Sequence, residues 1–90
     1  GDPVQYKKGK ISFDLAGDTM TVKSDFPLGA VYTYKPGGNA TLFHVPEKNA
    51  LTWSKSISEI LKDVKSDKFH YMAVDKEGNE AHSVYKGDAK

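Results

Sequence analysis

The chain has no cysteine and no arginine. Without cysteine it cannot form disulfides, thiolate metal sites or a thiol nucleophile. Without arginine it lacks the planar fork that clamps phosphate, reads guanine or acts as an arginine finger, and all 13 basic residues are lysines. No apolar run approaches the ~20 residues of a transmembrane helix. Walker loops, Gly-x-Ser-x-Gly elbows and paired carboxylates on one element are missing too. The stretch KPGGNAT (35–41) has the glycines of a phosphate loop, but no Lys-Ser or Lys-Thr pair follows them. Its flanks alternate like strands, whereas a phosphate loop joins a strand to a helix, so it reads as a turn. A surplus of one charge sign is also absent. Residues 1–45 carry five lysines against four aspartates and residues 46–90 carry eight lysines against eight acids, a net charge of +1. Neither half has the basic excess that drives phosphate-backbone binding.

Ninety residues with 38% hydrophobic and 28% charged content suit one globular domain with a modest core. The opening GDPVQYKKGK carries no methionine; the expectation is an exported or proteolytically processed chain, with a domain cut from a longer chain as the alternative. Residues 1–10, polar and lysine-rich, are expected to be a flexible segment, 11–86 a single α+β domain, and 87–90 a frayed end.

Within the domain the periodicity is explicit. In ISFDLAGDTMTVKS, Ile11, Phe13 and Leu15 alternate with Ser12 and Asp14, and Met20 and Val22 alternate with Thr21 and Lys23. Gly17-Asp18 fits a two-residue type II′ turn, which would pair Leu15 with Met20 and Phe13 with Val22 on one face. DFPLG (25–29) interrupts the pattern. AVYTYKPGGNATLFHV (30–45) then predicts a second hairpin with a loop over Pro36–Asn39. That register sets Tyr34 opposite Thr41 and Tyr32 opposite Phe43, with Val31, Thr33, Leu42 and His44 on the reverse face. Trp53, Ile57, Ile60, Leu61 and Val64 recur at helical spacing and predict an amphipathic helix from Thr52 to about Ser66. Thr52 is its expected first cap, and Ser56 and Glu59 stand at capping-box spacing. A last hairpin turns at Lys76-Glu77-Gly78, pairing Phe69 with Tyr85, Tyr71 with Ser83 and Ala73 with Ala81. His70, Met72, Val74, His82 and Val84 then share its other side. The expected fold is α+β, a mainly antiparallel sheet of about six short strands in the order ββββαββ, packed on one amphipathic helix.

Ten aromatic residues exceed what one helical stripe can cover on such a sheet. In one arrangement Trp53 and the helix rest on Phe13, Val22, Phe43 and Phe69, and the tyrosines rim the core with their polar tips in water. In the other, Tyr32 and Tyr34, or the group of His70, Met72, His82 and Val84, form a contact patch, since aromatic and methionine side chains concentrate at interface centres. We expect a small non-enzymatic protein-binding or inhibitor module acting through an exposed aromatic sheet face or an edge strand. Its partner would be another protein or a second copy, with no cofactor, metal or membrane insertion. Two rival readings are a single-stranded nucleic-acid binder stacking bases on aromatics between lysines, and a small metal-independent hydrolase using His, Asp and Glu. His44, His70 and His82 would suit a three-histidine metal only if all three converged, and their spacing follows no ligand pattern. Asn39-Ala40-Thr41 matches the glycosylation triplet but is read as turn chemistry.

Overall fold

A computed structural model of the chain describes residues 8–38 and 41–87. Strict alternation builds strands β1 (Ile11–Ala16) and β2 (Thr19–Ser24), joined at Gly17, whose φ of 58° suits the residue without a Cβ. Leu15 faces Met20 and Phe13 faces Val22, the register that the two-residue turn demands. Strands β3 (Leu28–Tyr34) and β4 (Thr41–His44) pair Tyr34 with Thr41 and Tyr32 with Phe43. Pro36 and Gly37, with φ of 74° at the glycine, form the corner of their turn, closed by Gly38 N–H donating to the Lys35 carbonyl at 2.9 Å. Asn39 and Ala40, and with them the glycosylation triplet, lie outside the described residues. Strands β6 (Phe69–Asp75) and β7 (Glu80–Tyr85) pair Phe69 with Tyr85, Tyr71 with Ser83 and Ala73 with Ala81. The buried Asp75 carboxylate organises their turn, accepting from the Glu77 and Asn79 backbone N–H groups at 2.9 Å each and the Asn79 side-chain amide at 2.8 Å.

The helix departs from expectation. Residues Thr52–Ser56 form a seventh strand, β5, antiparallel to β2, and only Ile57–Val64 form the helix α1. Thr52, Ser54 and Ser56 are weak helix formers, and Trp53 prefers a pleated surface. Without β5, the second edge of β2 would be left unpaired. The expected first cap, Thr52, is therefore a strand residue. The helix begins at Ser56, whose Oγ accepts the Glu59 N–H at 3.2 Å, and ends at Lys65 in the left-handed conformation, with the Ser66 N–H bonded to the Leu61 carbonyl. Lys55 of β5 and Glu59 of α1 meet at 3.8 Å across the junction of strand and helix.

The class is α+β, with the order βββββαββ replacing ββββαββ. The strands form two sheets, β1-β2-β5 and β4-β3-β6-β7, instead of one. Their facing sides make the core, with α1 filling it out: Met20, Ile57, Ile60, Phe69 and Tyr71 form one cluster, and Val22, Leu28, Val31 and Ala73 a second. Phe13 and Trp53 touch both clusters, and the Phe13 ring meets Tyr71 edge-on across the sheets at 4.7 Å. Lys10, at the end of the segment expected to be flexible, is held by its N–H to the Asp25 carboxylate at 2.7 Å. Residues 1–7 and 88–90 of the expected flexible ends lie outside the described residues. No helix among the described residues is long and apolar enough to cross a membrane.

Candidate functional site

Because side chains alternate across a strand, burying Val31 and Thr33 of β3 and Phe69, Tyr71 and Ala73 of β6 against the other sheet forces their neighbours outward. Cross-strand pairing then lines up two rows on the outer face of the four-stranded sheet. One reads Phe43–Tyr32–Met72–His82 and the other Thr41–Tyr34–His70–Val84. All six residues singled out from the sequence, Tyr32, Tyr34, His70, Met72, His82 and Val84, stand in these rows. Two separate hairpins contribute them, and the β3–β6 pairing joins the two into one surface.

Phe43 extends that surface. The arrangement that rests Trp53 on Phe43 is not the one formed: Phe43 lies on the opposite side, 58% exposed, because β4 puts Leu42 and His44 inward. Its ring lies 5.1 Å from that of Tyr32, and Tyr34 lies 5.3 Å from His70. Val84 is 38% exposed at the far strand, and Val74 pairs with Ala30 and Glu80 to continue the face along β6. Tyr71, in contrast, is buried in the core. The Glu80 carboxylate lies 3.6 Å from His82 Nε2, both side chains well exposed and therefore screened by water. No lysine occupies an outward position in these four strands. The arrangement of aromatics between lysines that base stacking would use is not what this sheet displays.

The histidines divide between the two sides. His44 points inward, where its Nε2 hydrogen-bonds the buried Thr33 Oγ1 at 2.9 Å and its ring lies 5.0 Å from Trp53. Burial, reinforced by the Lys55 charge and opposed by Asp63, lowers its pKa below the usual histidine value. His70 and His82 are on the outer face, so the three do not converge on one point. Among the described residues no group of three or more His, Asp or Glu side chains could hold a metal ion.

A second polar cluster escaped sequence reasoning. Asp18, in the β1–β2 turn, accepts from Ser56 Oγ at 2.5 Å, Ser58 Oγ at 2.6 Å and Ser58 N–H at 2.9 Å, while its carbonyl accepts the Ile57 N–H. The side-chain bonds from Ser56 and Ser58 hold this carboxyl below the usual aspartate pKa; desolvation opposes them, and the Ser58 N–H adds a lesser lowering. It serves as a second cap on the helix, tying the hairpin tip to the first turn of α1. The only sequence clue was an aspartate in a turn, and its partners lie 38 and 40 residues away.

Compared with known proteins, the chain matches no protein-family model, no curated protein and no solved structure.

Proposed function

We propose that this domain is a small non-enzymatic binding module that docks a protein surface on the outer face of its four-stranded sheet. One observation carries the reading: Phe43, Tyr32, Met72 and His82 run in one row across all four strands, beside Tyr34, His70 and Val84, with the opposite side of the same sheet already filled by the core. A sheet needs only one apolar face to fold, so the second is surplus to folding and suits a partner. Its composition supports a protein partner over a nucleic acid, since aromatics and methionine are present while lysine and arginine are not.

The test is affinity capture from the native source with three baits: wild type, Met72→Lys in the middle of the face, and Thr21→Lys on the outer face of the other sheet. The reading requires a protein, which can be the chain itself, retained by wild type and Thr21→Lys and lost from folded Met72→Lys. Retention unaffected by Met72→Lys would remove this face from consideration, and capture of RNA or DNA in place of protein would favour the nucleic-acid reading.

A further inference from the structure

The outer face of the four-stranded sheet is complementary to itself when reversed. In the first row the rings of Phe43 and Tyr32 precede Met72 and His82, and in the second Tyr34 precedes His70, with Thr41 and Val84 at its two ends. A two-fold axis lying in the interface, parallel to the strands and between β3 and β6, reverses the order of the strands while keeping each row at its own height. Tyr32 of one copy then meets Met72 of the other, Phe43 meets His82, and Tyr34 meets His70. Sulfur against ring and imidazole against ring are favourable contacts, and each occurs twice by symmetry. We propose that the occupant of this face is a second copy of the chain, forming a face-to-face dimer of two four-stranded sheets. This rests on the reading of the face as a docking surface.

Charge argues the same way. The outward positions of the four strands hold one carboxylate, Glu80 beside His82, and no lysine, so two such faces meet without a cluster of like charges. A formal net charge of +1 leaves little long-range repulsion between whole chains. A strongly basic or acidic partner would find little here to pair with. With strands about 4.8 Å apart and about 3.3 Å per residue, four strands of roughly six residues present a flat footprint on the order of 400 Å² per copy, enlarged by side-chain relief. Two such footprints fall below the standard size of specific interfaces, in the range of weak, reversible association.

Sedimentation velocity of the full chain from about 1 μM to 1 mM tests the proposal. Wild type and Thr21→Lys should pass from monomer to dimer over this range, with no larger species, because the contact is isologous and closes. Met72→Lys places two ammonium groups beside the axis and should stay monomeric throughout, a weakening of at least about 100-fold. Its circular dichroism and thermal unfolding, matched to wild type, exclude misfolding as the cause. In a mixed isotope-labelled sample, the Met72 methyl should show intermolecular nuclear Overhauser effects to the Tyr32 ring. A wild type that stays monomeric at 1 mM overturns the dimer, as does association unaffected by Met72→Lys. The docking reading is tested separately: a monomeric wild type that captures a different protein, lost in Met72→Lys, defeats the dimer alone. Capture indifferent to that change defeats both.

Discussion

The two sheets share one core yet present opposite characters to the outside. On the three-stranded sheet the outward rows are Ser12–Lys23–Thr52, Asp14–Thr21–Ser54 and Ala16–Thr19–Ser56, nearly all polar, with Thr21 and Ser54 joined through their hydroxyls at 3.0 Å. On the four-stranded sheet the corresponding positions hold Tyr32, Tyr34, Phe43, His70, Met72, Val74, His82 and Val84, with only Thr41 and Glu80 as aliphatic polar exceptions. Period and pairing are the same in both, and each buries its other face against the same clusters. Folding therefore asks for one apolar face per sheet, which the first sheet supplies and the second exceeds. The core does not use this excess, and that is the physical ground of the proposed contact on that face.

Four changes would break or sharpen this comparison. The largest effect should come from the residues the two sheets have in common. Phe69→Ala empties the place of a ring with no solvent exposure and should cost about 3–5 kcal/mol in urea unfolding. A loss below about 1 kcal/mol would mean that the sheets do not depend on a joint core. Next is Ser56→Ala, on an outward row of the polar sheet, which removes the cap on Glu59 N–H and a bond to Asp18 and should cost about 1 kcal/mol. An unchanged midpoint would show that the turn and the helix are held by packing alone.

Smaller still is the exchange of characters. Tyr32→Thr imports the chemistry of the polar sheet into the aromatic one and should cost less than about 1 kcal/mol, the worth of a cross-strand pair, while reducing partner or self-binding. A cost of several kcal/mol would mark Tyr32 as a folding residue and undo the contrast. The smallest effect concerns His44, which faces inward. Its folded-state pKa is lowered, so below the usual histidine value of 6.5 the unfolded chain binds the proton more readily. The stability it contributes is present above that value and is lost as pH falls through the folded pKa. Unfolding free energies between pH 7.5 and 5 should decline in wild type and decline less in His44→Gln, and parallel curves would assign the decline to other groups.

All three hairpin registers are legible in the sequence. Gly17-Asp18, Pro36-Gly37 and Glu77-Gly78 act within a few residues of the strands they join, and period-2 alternation tells which side chains travel together. The six candidate contact residues followed from the same patterns, as two separate groups. Less legible was the stretch from Thr52 to Ser56, where Trp53 and Ile57 satisfy helical spacing while Trp53 and Lys55 also fit a strand. Phe43 was misplaced for a related reason, since hairpin register relates it to Tyr32 without saying which side of the hairpin meets the core.

What the chain determines alone is local: turn chemistry, hairpin register and the helix stop near Lys65, each encoded within one or two turns of backbone. Tertiary structure decided that β5 pairs with β2, that Asp18 caps a helix some 40 residues on, and that β3 joins β6 to merge two candidate patches into one face. Such contacts join segments far apart in sequence, so their formation depends on closing long loops around a shared apolar core, which no short window of residues specifies.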